Sequence, residues 1–226
     1  MSFAEPFVKM TLSYDPTAAV EHLARRDRQL AKVMRRAGPF TLKPRRATTP
    51  YEALLRAIVG QQLSGKAAAT IHGRVLALHA PAKRPTPELL HKLEDDALRA
   101  AGLSRNKLAA IRDLAQKSLD GTVPTLRMLR KLEDAAIVER LTQVRGVGVW
   151  TVEMLLMFTL GRPDVLPLAD LGVRQGFMHT YGLKTMPTTA ALAEHAERWR
   201  PYRSVGSWYM WRAVELHRAN KNKQPS

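Results

Sequence analysis

Cysteine is absent from the 226 residues, which excludes disulfides, thiolate zinc sites and cysteine-ligated iron–sulfur clusters. Long hydrophobic runs are missing as well. No stretch approaches the roughly 18 consecutive apolar residues of a spanning helix, and Met1 to Tyr14 has neither the basic nor the apolar region of a secretory leader. A cytoplasmic chain with no membrane partner is expected. Acidic residues are scarce: 20 Asp and Glu stand against 36 Lys and Arg, a formal net charge of +16 and a sequence pI near 10.7. That excess fits a polyanionic partner, nucleic acid foremost. The seven histidines show no H-x-x-x-H spacing, so no metal site is expected.

Strand-like alternation is rare, whereas apolar residues recur at helical spacing, so the chain is expected to be all-α. Its 45% hydrophobic content can fill a core in one domain or in two small ones. Thr48-Thr49-Pro50 opens a helix bearing Leu54, Leu55, Ile58 and Val59, and Ser64, Thr86, Ser104 and Thr125 are further N-cap candidates. Asp95 or Asp96, and Asp134, also begin helices. One helix is expected over about Val149 to Leu160, and others near 170–180, 190–199 and 204–219, about ten short helices in all. Between Glu21 and Arg46 nine basic residues (Arg25, Arg26, Arg28, Lys32, Arg35, Arg36, Lys43, Arg45, Arg46) face two acidic ones; a solvated helix face and direct polyanion contact both account for them.

The informative segment is Val144-Arg145-Gly146-Val147-Gly148, with a helix on each side. Two glycines one residue apart permit a tight turn and a close backbone approach. Their amides, with those of the following turn, then point outward at a helix N-terminus, where an anion such as a phosphate is favoured. An ordinary helical hairpin uses the same letters.

Gly161-Arg-Pro-Asp-Val-Leu-Pro-Leu-Ala-Asp170 follows, a Gly/Pro-rich loop ending in an aspartate twenty residues beyond Trp150. Together, hairpin, loop and aspartate resemble the helix-hairpin-helix superfamily of base-excision DNA glycosylases. Leu171 to Phe177, Glu197 to Ser204, and Ile58-Val-Gly-Gln-Gln-Leu-Ser64 are similar to its 3-methyladenine DNA glycosylase II branch. The resemblance implies a two-subdomain helical fold: residues 46–160 form a helical barrel ending in the hairpin motif (about 134–160), and 1–45 with 161–226 form a second subdomain, the catalytic Asp lying at the junction. The N-terminal β-rich domain of larger members is not expected, because the 45 leading residues cannot hold one.

The resemblance also implies a site. Asp170 is its catalytic carboxylate, able to stabilise the positive charge that develops on deoxyribose as an N-glycosidic bond breaks; a helix N-cap is the plainer role for the same residue. Trp150 stands where bifunctional members carry a Schiff-base lysine, and no lysine lies between Lys131 and Lys184, so hydrolysis without strand cleavage is expected. Trp150, Trp211 and Met154 would line the base pocket, although Trp211 could instead pack with Trp199 and Trp208. Val144, Arg145, Gly146, Val147, Gly148 and Thr151 would form the phosphate-binding hairpin. Gln61, Gln62, Leu103 and Arg105 are candidates for the gap left by a flipped base, or for the wedge that fills it, with helix-terminal polarity as the other reading of the glutamines. No cofactor is expected beyond a monovalent cation at the hairpin carbonyls. The partner would be double-stranded DNA containing alkylated bases, met by a monomer. A non-catalytic DNA-binding module, a glycosylase/lyase and a basic structural protein are the competing readings.

Overall fold

A computed structural model describes residues 12–44, 49–82 and 84–222. Thr48, Arg45 and Arg46, the residues before Leu12, and with them the expected subdomain boundary at 45/46, lie outside the described residues. Within them the chain is all-helical, with thirteen α-helices and no strand. The described residues divide into two compact units, the first between 49 and 155, the second made of 12–44 with 156–222.

In the first unit, α3 (Pro50–Gly60) opens on a full capping box, Thr49 accepting from the Glu52 amide while Glu52 accepts from the Thr49 amide. Its face of Leu54, Leu55, Ile58 and Val59 is completely buried or nearly so, each side chain contributing about 1.5–3 kcal/mol relative to exposure. It packs on α4 (Gly65–Ala77) and on α7 (Arg105–Leu119). Ser64, Thr86, Ser104 and Thr125 cap as expected, each hydroxyl accepting a backbone amide of the first helical turn. The short α5 (Pro87–Lys92) and α6 (Asp95–Ala100) are tied together by Arg112 of α7. Its guanidinium donates to the Leu90, His91 and Leu93 carbonyls and to Asp95. The one-turn α8 (Leu126–Leu129) leads to α9 (Asp134–Leu141), which packs on α10 (Val149–Leu155).

The second unit adds two helices that the sequence reading treated only as a charged stretch. They are α1 (Pro16–Arg26) and α2 (Arg28–Ala37), joined at Asp27. Arg25, Arg26, Arg28, Lys32, Arg35 and Arg36 are all exposed, while Leu23, Leu30, Ala31, Val33 and Met34 face inward. Around them lie α11 (Leu171–Tyr181), α12 (Thr189–Ala196) with a following 3-10 turn (Glu197–Trp199), and α13 (Arg203–Lys221). Helices α11 and α13 touch backbone to backbone: a Cβ on Gly176 would sit 1.9 Å from the Met210 carbonyl oxygen, so only glycine fits there.

The expected continuous helix to Leu160 is interrupted. Regular α-structure ends at Leu155, and Leu156–Leu160 form a π-turn whose widened spiral is followed by the Arg162 amide donating to the Leu156 carbonyl at 3.0 Å. Apolar periodicity over five residues cannot separate an α-turn from a π-turn, which shifts the later side chains by one position.

Candidate active site

The hairpin between α9 and α10 is built from two buried anchors and three exposed backbone positions. Val144 and Val147 are sunk in the first unit (1% and 4% exposed), and the Val147 amide closes the turn on the Val144 carbonyl at 3.0 Å. Arg145, Gly146 and Gly148 are exposed. The Arg145 amide is held by Asp113 Oδ2 at 2.7 Å. Gly146 has φ +76°, a left-handed conformation that favours glycine. Gly148 does not share that conformation, and a Cβ built on it meets nothing within 4 Å. Nothing inside the protein therefore demands glycine at 148. Among the described residues the Gly146, Gly148 and Val149 amides donate to no protein acceptor. Thr151 is buried, and its amide is committed to the Gly148 carbonyl at 3.0 Å.

Beyond the hairpin, α10 presents Val149 and Trp150, 52% and 46% exposed, with Met154 half-buried one turn later on the same face. The Gln61 side chain donates to the Gly146 carbonyl at 2.7 Å, so the turn after α3 braces the hairpin. Gln62 beside it is exposed with φ +57°, the only non-glycine residue of positive φ among those described, a conformation that costs about 1–2 kcal/mol. Lys107 finishes α3 by donating to the Val59 carbonyl at 2.7 Å, and the loss of water around its ammonium lowers its pKa. The wedge candidates separate on burial: Leu103 packs in the core at 5% exposure and presents no tip, whereas Arg105 is exposed at the start of α7.

In the second unit the loop from Gly161 delivers Asp170 to the N-terminus of α11. There Oδ1 accepts from the Val173 amide at 2.7 Å and from the Trp211 indole Nε1 at 2.8 Å. Asp170 thus fills the N-cap role, and one of its oxygens is fixed from two directions. Trp211 packs against the core cluster that contains Trp199 and on which Trp208 also packs, with no direct ring–ring pair to either among the described residues. It is half-buried and stacks on Phe158 of the π-turn, with centroids 5.7 Å apart and planes at 22°. The Trp199 ring pairs with Phe177 and His195, the Trp208 ring with Phe40 and Tyr209. A Cβ on Gly172 would lie 2.7 Å from the Trp211 ring and 3.1 Å from Asp170 Oδ1, so glycine at 172 lets the indole reach the carboxylate. Phe158 and Gly172 were not singled out from the sequence. The π-turn that places the first is invisible to periodicity, and no local pattern marks the second.

Among the described residues no group of three or more His, Asp or Glu could hold a metal ion, and no helix is long and apolar enough to cross a membrane.

The family model described as HhH-GPD superfamily base excision DNA repair protein matches residues 55–201. Over 212 residues the chain is 34% identical to DNA-3-methyladenine glycosylase 1 of Schizosaccharomyces pombe, with 92% of each chain covered. A solved structure of a 3-methyladenine DNA glycosylase from the same organism, in complex with abasic DNA, matches with TM-score 0.79 at 35% identity, covering 88% of this chain and 97% of that one. The crystal structure of DNA-3-methyladenine glycosidase from Bacillus halodurans matches with TM-score 0.81 at 33% identity, covering 94% and 95%.

Proposed function

The chain belongs to the HhH-GPD superfamily of base excision DNA repair proteins, and from that premise we propose that it is a monofunctional DNA glycosylase, a cytoplasmic monomer that excises alkylated bases of the 3-methyladenine type from duplex DNA. The observation that carries this reading is the fixed carboxylate of Asp170, held through one oxygen by the α11 amide and the Trp211 indole. A phosphate clamp needs no such group. A carboxylate oriented before the reaction lowers the barrier to a cationic sugar without having to reorganise as the bond breaks.

The remaining parts take complementary roles. The outward amides of the hairpin receive a phosphate of the backbone, and the Gly146 carbonyl, which accepts from Gln61, keeps a second lone pair for a monovalent cation. The target nucleotide leaves the stack before reaction, with Gln61, Gln62 and Arg105 as the residues nearest that task. An N-alkylated purine carries positive charge, so the exposed indole face of Trp150 attracts it more strongly than a normal base.

Duplexes each carrying one modified base test this directly. Incubation is expected to release the base and leave an intact strand that breaks only after alkali. Borohydride is expected to trap no covalent adduct, because an indole nitrogen at position 150 cannot form an imine. Strand cleavage without alkali, with trapping that depends on Asp170, would establish the glycosylase/lyase instead. Binding without base release on any duplex would leave the DNA-binding module.

Gly148→Ala separates the ligand from the scaffold. Since a Cβ there meets no protein atom, the melting temperature should hold, while affinity for abasic duplex should fall about tenfold, the equivalent of one charge-assisted hydrogen bond of about 1.5 kcal/mol. Unchanged affinity would remove the hairpin from the interface.

A further inference from the structure

At its start the loop that carries Asp170 is held largely by the first turn of α13, with the Ser13 hydroxyl donating to the Gly161 carbonyl at 3.0 Å as a further tie. The Ser204 hydroxyl donates to the Arg162 carbonyl at 2.7 Å and accepts from the Val165 amide at 2.9 Å, and the Ser204 amide donates to the Pro163 carbonyl at 2.9 Å. Ser204 is 1% exposed, so its hydroxyl and amide are spent on this one loop, away from water. Next to it the Arg203 guanidinium grips both oxygens of Asp164, at 2.7 and 2.9 Å, while its amide donates to Asp164 Oδ1 at 3.2 Å. Arg200 adds a further cationic contact to Asp164 at 2.7 Å. Tyr202, at the N-cap of α13, makes no side-chain capping bond; Asp164 supplies that cap from the loop.

Two turns further along the same helix is Trp211, whose indole holds Asp170. Helix α13 therefore clasps the loop at its beginning and its end, and the span between the two grips is short. We propose that Ser204, with the Arg203–Asp164 pair, is the positioning device that sets the catalytic carboxylate of Asp170 on α13. This rests on the reading of Asp170 given above. The clasp touches neither substrate nor the reacting atoms. It acts by fixing the register of the loop, and a carboxylate displaced by about 1 Å loses on the order of 10²-fold in rate.

Single-turnover base release and binding to abasic duplex, measured well below the melting temperature, test the clasp. Ser204→Ala removes the hydroxyl that bonds the Arg162 carbonyl and the Val165 amide. It is expected to slow base release by about 10- to 100-fold with DNA affinity retained. In an Asp170→Asn background the same substitution should have no further effect on rate, because the group it positions is gone. Arg203→Gln, nearer the surface, should slow the same step with a smaller change in melting, which keeps the test available if Ser204→Ala folds poorly. Tyr209→Phe is the control for lost stability. It removes a hydroxyl bonded to the Gly38 carbonyl on the same helix, away from the loop, and should leave the rate intact. Wild-type rates in both clasp variants, or an equal loss in the wild-type and Asp170→Asn backgrounds, would overturn the clasp. Near-wild-type excision by Asp170→Asn alone would overturn the underlying assignment, a distinguishable result.

Discussion

Asp170→Asn is expected to cut the single-turnover rate of alkylated-base release by about 10²–10³-fold or more, with affinity for abasic duplex and thermal stability close to wild type. The geometry makes this substitution unusually clean. Asn caps helices about as well as Asp, and its carbonyl oxygen can take the place of Oδ1, accepting both the Val173 amide and the Trp211 indole. Those two contacts are then kept while the negative charge is lost. Charge that stabilises a cationic transition state appears in the rate and not in ground-state binding. Two measurements decide it: a rate within a few-fold of wild type would remove the catalytic role, and a rate loss matched by a collapse in melting temperature would reduce Asp170 to its cap. A glutamate at 170 would keep the charge but lengthen the side chain, and should not restore activity.

The elements that the sequence revealed were those whose signals are local. Ser64, Thr86, Ser104 and Thr125 all cap helices because a short hydroxyl side chain three residues before a backbone amide is a short-range arrangement. The Gly146 turn was equally legible, since left-handed backbone and glycine go together. Helices α1 and α2 were obscured by charge: exposed cations at Arg28, Lys32, Arg35 and Arg36 dominate a stretch whose apolar face is only Leu30, Ala31, Val33 and Met34. The second glycine of the hairpin was read as part of the turn, whereas its backbone is ordinary and its space empty. Leu103 illustrates the opposite limit, an apolar residue in the right loop whose burial no pattern reveals. Asp170 was identified through resemblance and spacing. Of the residues that hold it or its loop, Gly172 is a near neighbour in sequence, but Trp211 and Ser204 make contacts that span 41 and 39 positions of chain, and only the fold brings those two near.

Asp27 was counted in the sequence only as one of two acids in a basic stretch, yet its replacement should cost more stability than any other polar change in the second unit. It is 4% exposed. Oδ1 accepts the Gln29 and Leu30 amides and so caps α2. Oδ2 takes the Trp199 indole at 2.9 Å, His195 Nε2 at 3.0 Å and the Tyr181 hydroxyl. One carboxylate thus joins α2 to α11, α12 and the turn after it. Asn cannot replace it, because one of its two ends must be a donor: turned either way, an NH2 group faces the backbone amides or the indole. Asp27→Ala removes the acceptor altogether, and either variant should lose about 3–5 kcal/mol, as when a buried charge network is broken on one side. That corresponds to a fall in melting temperature on the order of 10 °C for a chain of this size. The pH dependence has a definite sign. Burial, the largest single influence on Asp27, raises its pKa, but the hydrogen bonds from His195, Leu30, Tyr181 and Trp199 together outweigh it and hold the carboxyl well below the ordinary range. A depressed folded pKa means that the stabilisation is fully present above the unfolded value of about 3.9 and drains away as pH falls below it. Denaturation of wild type and Asp27→Asn side by side, from about pH 6 down to about pH 3, should show the gap between them wide at the upper end and narrowing at the lower. Carboxylates common to both proteins cancel in the difference. A gap that stays constant over that range would mean that Asp27 acts through shape and hydrogen bonding without its charge, and a gap absent throughout would mean that the network does not hold the unit together.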